Sequence, residues 1–138
     1  MIKIQKIDDW TPAIAIRRTV FVEEQGVSEA EEIDGKDPDC LHWLASDDDG
    51  PVATLRILSL GDTAKIQRVA VLSRARGTGI GAALMIHVMD ELKTLGYAKA
   101  ILGSQTDAIG FYERLGFTVH GPVYDDAGIP HRDMTRQL

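Results

Sequence analysis

The spacing of apolar and polar positions changes several times along the chain, and each change predicts an element. Met1-Ile2-Lys3-Ile4-Gln5-Lys6-Ile7 alternates as a strand does, over residues 2–7. Thr11 followed by Pro12 predicts a helix capped by Thr11 with proline in its first position, and the helical pattern runs to Phe21 or Gln25. Residues 23–39 show no period and read as a loop holding one helical turn. Leu41–Ala45 and Val52–Leu60 flank Asp47-Asp48-Asp49-Gly50, which predicts a hairpin, and Gly61-Asp62 turns into a strand over 64–72. A long helix follows, with apolar residues at 84, 88, 92 and 95 on one face and Gly96 as its C-terminal stop. Residues 98–102 then read as a buried strand and 107–115 as a short helix stopped by Gly116. Residues 117–124 and 130–137 read as a final hairpin turned by Asp125-Asp126-Ala127-Gly128.

Strands first, then helix, strand, helix and hairpin, describe an α+β fold with one βαβ crossover. No linker interrupts the pattern, so residues 1–138 read as a single domain, long enough to bury a core. Hydrophobic residues make up 44% and charged residues 26%, the mixture of an ordinary soluble protein, and no apolar run approaches the ~18 residues of a membrane span. The first residues lack the apolar core of a signal peptide, so a cytoplasmic location is the expectation. The single cysteine, Cys40, excludes an intrachain disulfide and a multi-cysteine metal site, and no metal is expected.

Net charge is -6, and it is unevenly spread. Between Glu23 and Asp39 stand eight acids and one base, whereas Thr63–Met89 holds four bases (Lys65, Arg68, Arg74, Arg76) and no acid. One region therefore invites anions and another repels them. No basic stripe extends over a face, which disfavours nucleic acid as a partner.

The anion-attracting region contains the most specific chemistry. Arg74-Ala75-Arg76-Gly77-Thr78-Gly79-Ile80-Gly81 joins a predicted strand to a predicted helix. Glycines let the backbone turn sharply beside a ligand, and the first turn of a helix presents unpaired N–H groups at the positive end of its dipole. A phosphate fits such a cradle. Gly77-Thr78-Gly79-Ile80-Gly81-Ala82 meets the letter of the dinucleotide fingerprint, yet Ser73–Arg76 separates it from the strand, and Gly103-Ser104-Gln105 stands where that fold needs an acid. A dinucleotide-dependent oxidoreductase is thus the weaker enzyme reading, and no Lys-Ser or Lys-Thr follows to make a Walker loop.

Arg76-Gly77-Thr78-Gly79-Ile80-Gly81 resembles the Arg/Gln-x-x-Gly-x-Gly/Ala acetyl-CoA motif of the GNAT superfamily, the GCN5-related N-acetyltransferases. Ala108-Ile109-Gly110-Phe111-Tyr112-Glu113-Arg114-Leu115-Gly116-Phe117 is similar to that family's Ala-x-x-Phe-Tyr-x-x-x-Gly-Phe segment, in register with the first motif. Arg18–Gln25, the run around Glu32, Asp34 and Asp37, and His42 resemble the bacterial ElaA-like subgroup. The resemblance implies a mixed, mostly antiparallel sheet with helices on both faces and acetyl-CoA as cosubstrate. It puts the pyrophosphate on the amides of Arg76, Gly77, Thr78, Gly79, Ile80 and Gly81, with Ala82 opening the helix. The pantetheine arm pairs with Val69, Ala70 and Val71, and an amide at Val69 or its neighbour polarises the thioester carbonyl. Gln105 stands where many relatives carry a pantetheine-binding asparagine.

The same resemblance makes Tyr112 the acid that protonates the departing thiolate; a phenol with an ordinary pKa near ~10 keeps its proton at neutral pH. An alkylamine acceptor needs a base, and residues 63–72 contain no acid. Glu24, Asp34 and His42 are the candidates, since the family places the acidic segment over the acceptor cleft. His87 reads as solvent-facing and His131 as a residue lining the acceptor site. The expected activity is acetyl transfer from acetyl-CoA to an amine, by direct attack in a ternary complex, with a cationic acceptor. A sensor or interaction module that binds acyl-CoA without turnover is the alternative from another class. Many relatives are dimers, so a homodimer is the partner expectation besides the acceptor.

Overall fold

The computed structural model describes residues 1–138 and contains one seven-stranded sheet in the order β1-β2-β3-β4-β5-β7-β6. The strands are β1 Lys3–Ile7, β2 Cys40–Asp47, β3 Gly50–Leu60, β4 Thr63–Val71, β5 Lys99–Gln105, β6 Thr118–Asp126 and β7 Ile129–Gln137. The helices are α1 Thr11–Arg17, α2 Glu29–Glu32, α3 Ile80–Thr94 and α4 Ile109–Arg114. Every pairing is antiparallel except β4 with β5, where α3 makes the crossover. A sheet with a single parallel pair is not the doubly wound sheet of dinucleotide enzymes.

The two faces of the sheet bury different helices. α3 turns Leu84, Met85, Val88, Met89 and Leu92 onto one face, where they meet Trp43, Leu55, Ile57, Ile66, Leu102 and Met134 in the main core. Leu95, expected on that inner stripe, is 58% exposed, because the helix ends at Thr94 and Gly96 takes a positive φ of 96°. On the other face α1 buries Ala13 and Ile16, and one turn further Val20 joins Ile16 against Leu44 and Ala70.

Two details of α1 depart from the sequence reading. Thr11 is not the cap: Asp9 accepts both the N–H of Thr11 at 3.0 Å and its hydroxyl at 2.6 Å, so the carboxylate organises the first turn. Beyond Arg17 the helix widens over Arg18–Glu24, where Gln25 donates to Val20 five residues back, at 3.2 Å. Such wide turns are uncommon and cluster at functional sites. This one carries the chain over the middle of the sheet, bringing Gln25 to a cleft beside β4 and Glu24 to Arg76.

Candidate active site

β4 and β5 part company halfway along. They pair from Thr63↔Lys99 to Ile66↔Leu102 and no further, while β4 continues to pair with β3 through Val71. The divergence coincides with a bulge: the β3–β4 register slips between Thr54 and Arg56, and Arg68 holds φ 56°, a left-handed conformation strained for a residue with a side chain. Such strain costs about 1–3 kcal/mol and persists where surrounding contacts over-determine it. Leu72 donates to the carbonyl of Val52 at 2.8 Å, so by alternation Ala70 also faces β3, whereas the N–H and C=O of Val69 and Val71 face the gap. That edge has room for one more strand.

The gap opens into a cleft of about 280 Å³ whose lining includes Phe21, Gln25, Glu31, Arg68, Val69, Gln105, Tyr112, Tyr124 and His131. Beyond the end of β4, Gly77 (φ 78°) and Gly79 (φ 85°) turn the chain, both left-handed, and Gly79 stands at the N-terminus of α3. A Cβ on Gly81 would lie 3.4 Å from Val71 Cγ2 and 3.6 Å from Phe111 Cζ, so its role is close packing of α3 on the sheet. The amides of Gly77, Gly79, Ile80, Gly81 and Ala82 donate to no group in the chain. Thr78 differs: its N–H and its hydroxyl both bond Ala75 O, at 3.4 and 2.5 Å.

The two arginines of this loop are already engaged. Arg74 reaches Asp47 at 2.7 Å, at the end of β2. Arg76 donates Nε to Val71 O at 3.0 Å and Nη2 to Glu24 Oε1 at 2.5 Å, covering part of the free edge. Glu24, expected near an acceptor amine, is therefore the counter-ion of Arg76 in the glycine loop. Gln25 and Gln105 form a reciprocal amide pair across the cleft, Gln105 Nε2 to Gln25 Oε1 at 2.8 Å and the return bond at 3.4 Å. Tyr112 lies against the edges of Phe111 and Phe117, its hydroxyl bonded to nothing in the chain, and burial pushes its pKa above the ordinary phenol value.

The remaining base candidates do not reach the cleft. Arg17 and Arg56, each 1% exposed, hold Glu32 and Asp37: Arg17 Nε to Glu32 Oε1 at 2.5 Å, Arg17 Nη1 and Arg56 Nη1 to Asp37 Oδ1 at 2.6 and 2.9 Å. Asp34 joins through Arg56 Nη2 at 2.7 Å and Arg68 Nη2 at 3.4 Å. Burial alone would raise the Asp34 carboxyl, but its hydrogen bonds from Arg56 and Lys36, with the Arg56 and Arg68 charges, hold it far below the usual carboxylate range. A carboxylate so stabilised is a poor proton acceptor. His42 is 2% exposed, stacks on Trp10, and donates Nε2–H to Asp37 O at 2.9 Å; burial lowers its pKa, and Nδ1 has no partner.

The acidic segment is thus largely neutralised from within. Of its eight acids, Glu24, Glu29, Glu32, Asp34 and Asp37 have arginine partners. The signal missed in the sequence was Arg17: it occupies the inner α1 stripe with Ala13, Ile16 and Val20, where a cation needs buried counter-charges. His87, read as solvent-facing, bonds Glu91 at 2.6 Å. Tyr124 and Gly103 belong to the cleft and carried no motif, and Gln25, the last residue of the Arg18–Gln25 segment, carried no assigned role. No cluster of three or more His, Cys, Asp or Glu is arranged to hold a metal ion, and no helix is long and apolar enough to cross a membrane.

Comparison with known proteins agrees with this geometry. The model of the Acetyltransferase (GNAT) domain family matches residues 13–138. The uncharacterized protein YyaT of Bacillus subtilis is 38% identical over 133 residues, 94% of this chain and 90% of YyaT. Escherichia coli ElaA is 34% identical over 131 residues, 91% of this chain and 85% of ElaA. The ElaA crystal structure superposes with a TM-score of 0.87 at 31% identity, covering 99% of both chains. A B. subtilis acetyltransferase solved in complex with CoA shares the fold at a TM-score of 0.76 and 15% identity, over 100% of this chain and 99% of that one.

Proposed function

Because the chain belongs to the GNAT acetyltransferase family, we propose that it moves an acetyl group from acetyl-CoA to an amine by direct attack in a ternary complex. The observation that carries this reading is the row of unpartnered amides at Gly77 and Gly79–Ala82, set beside the open edge of β4. Polar groups left without partners at a helix N-terminus suit a pyrophosphate. The pantetheine arm then extends along Val69 and Val71 as an added strand, bonded by backbone rather than by side chains. The Val69 amide is the donor for the thioester oxygen, which gains charge as the amine attacks. Tyr112 supplies the proton to sulfur. Burial keeps Tyr112 protonated at neutral pH, and the same apolar surroundings disfavour a thiolate formed beside it, which drives the proton to sulfur.

Binding requires two contacts to open. Arg76 must turn from Val71 O and Glu24 toward the phosphates, and the Gln25–Gln105 pair must exchange one of its bonds for a pantetheine amide. Both are exposed; the Arg76 rearrangement is a small cost against charge-assisted bonds to phosphate, and the glutamine pair exchanges one neutral amide bond for another.

For the acceptor, the reading is an amine that arrives as a cation. Glu31 and Asp126 line the cleft without a cationic partner, Lys65 lines it as well, and Glu32 is matched by Arg68. The net attraction is therefore about one charge, weaker than eight acids in sequence suggest, and salt should screen it with a Debye length of ~8 Å near physiological ionic strength.

The experiment is a thiol-release assay with acetyl-CoA across alkylamines, polyamines, peptides and amino sugars, beside calorimetry with CoA and NADH. Binding of CoA with acceptor-dependent thiol release supports the reading. CoA binding without thiol release for any amine replaces it with the sensor, and a preference for anionic amines removes the cationic acceptor.

A further inference from the structure

We propose that His131 is the general base of the transfer, held by a clamp of Tyr124, Asp133 and Gly103; the inference rests on the acetyl-transfer reading above. His131 is half-buried on β7, directly opposite Gln105 of β5 on one side and Tyr124 of β6 on the other. Its Nδ1 lies 2.7 Å from the carbonyl of Ile129. A carbonyl oxygen only accepts, which assigns the proton to Nδ1 and leaves the lone pair on Nε2. Nε2 bonds nothing in the chain, and His131 lines the cleft that Tyr112 enters from α4.

The ring is held from its face and its tautomer from its edge. Tyr124 stacks on it with centroids 5.9 Å apart and planes 24° from parallel, and the Tyr124 hydroxyl donates to Asp133 Oδ1 at 2.8 Å. Tyr124 can lie there because residue 103 is glycine: a Cβ at that position would stand 2.3 Å from the Tyr124 oxygen. Gly103 has an ordinary backbone, so the missing side chain serves this close approach and not a turn. Gly103, Gln105, His131 and Asp133 share one sheet face, opposite to Leu102 and Met134 of the main core. The base thus comes from the acceptor face, while Tyr112 comes from the α4 side through the splay.

The cleft's other groups are placed differently. Glu31 and Asp126 are exposed carboxylates with no packed partner that orients them as Tyr124 orients His131. Glu32 is bound to Arg17 and Arg68. Burial, with the hydrogen bond to Asp133, pushes Tyr124 up to about 12. The titratable and charged groups that share the cleft with His131 are Glu31 and Glu32 from α2, Lys65 and Arg68 from β4, Tyr112 from α4, and Tyr124 and Asp126 from β6. The ammonium gives one proton to Nε2, which later passes it to solvent, and the freed nitrogen pair bonds the thioester carbon. The C–S bond breaks with its electrons on sulfur, sulfur takes the Tyr112 proton, and the second proton shed by nitrogen returns to Tyr112 through solvent.

The test uses the intact chain and the best amine from the thiol-release panel. His131→Gln should lower kcat/KM about 100-fold at neutral pH, the usual worth of a positioned base. It should also remove the imidazole limb from the pH profile and leave acetyl-CoA affinity by calorimetry within about twofold. Added imidazole should restore part of the rate in His131→Gly. Gly103→Ala should lower kcat without changing acetyl-CoA affinity. Wild-type rate and pH profile in His131→Gln overturn the proposal alone, whereas absence of turnover by the wild type with every amine sinks the transfer reading and this one with it. Should the variants fail to fold, two-bond ¹H–¹⁵N correlation of the wild-type imidazole decides: the Nδ1–H tautomer is expected, and Nε2–H overturns the assignment.

Discussion

The arginine–carboxylate cluster and the glycine loop both lie against β4, both are polar, and they differ in where their polar groups find partners. In the cluster, Arg17 and Arg56 spend their donors on Glu32, Asp34, Asp37 and Gln67, all inside the chain. In the loop, the amides of Gly77 and Gly79–Ala82 spend theirs on nothing. A polar region that satisfies itself is a structural device, and one that does not is waiting for a ligand. Sequence shows charge in both, and charge alone does not separate them.

The sharpest break in the comparison is Asp37→Ala. It leaves Arg17 and Arg56 buried and short of an anion, which costs about 3–5 kcal/mol of stability. Chemical denaturation should show that loss, while the folded fraction still binds CoA normally. A drop below about 1 kcal/mol would mean that the cluster relaxes into water and is no internal unit. Acid should do the same work gradually. Asp34 and Asp37 hold their protons less tightly folded than unfolded, so the unfolded chain gains protons as pH falls. Their contribution is complete above about pH 4 and is lost below it; His42, whose folded pKa is also lowered, adds a loss that begins below about pH 6.5.

Breaking the loop should have the opposite signature. Gly79→Asp places a side chain at φ 85° and a negative charge at the amides proposed to hold the pyrophosphate. Calorimetry should show CoA binding weakened by more than about 100-fold, near 2.7 kcal/mol, with a smaller stability cost of about 1–2 kcal/mol from the left-handed backbone. Retained affinity would move the pyrophosphate elsewhere. Next in size, Tyr112→Phe should lower kcat about 10- to 100-fold, some 1.4–2.7 kcal/mol in barrier, and leave acetyl-CoA affinity within about twofold. Equal losses in both would return Tyr112 to packing.

Most of the fold was legible because its cues are local. The alternation at the start of β1, the turn residues of the β2–β3 hairpin and the glycine after α3 each act within a few residues. Leu95 and Thr11 were misread for the same reason: both sit at helix ends, where one turn decides whether the stripe continues and which neighbour caps it. The site divides differently. The glycine loop stood out by motif because its left-handed turns at Gly77 and Gly79 require glycine, and Tyr112 stood out by its place in the Ala-x-x-Phe-Tyr segment, which the structure sets on the cleft wall. Arg17 with Asp37, Arg56 with Asp34, and Gln25 with Gln105 are separated by 20, 22 and 80 positions. Nothing in composition says which acid meets which arginine, so acids that close a buried cluster looked like acids facing a substrate. Gly103 is the clearest case, because its meaning lies in the tyrosine of another strand.

Glu24→Gln tests the one place where the two regions meet. Glu24 comes from the wide turns after α1, within the acidic stretch, yet its partner is Arg76 of the loop, 2.5 Å away. Before the structure, its removal would be expected to weaken the acceptor and spare the cosubstrate. The pairing reverses that expectation. Arg76 must leave Glu24 to reach a phosphate, so the ion pair competes with binding, and a neutral amide competes less. Both side chains are partly exposed, 47% and 33%, which limits such a pair to about 0.2–1 kcal/mol. CoA affinity should therefore rise by about two- to fivefold at low salt, and the gain should shrink as salt screens the pair, with acceptor KM unchanged. A weaker CoA complex would show that Glu24 aligns Arg76 for the phosphate instead of withholding it, and a higher acceptor KM would return this carboxylate to the amine.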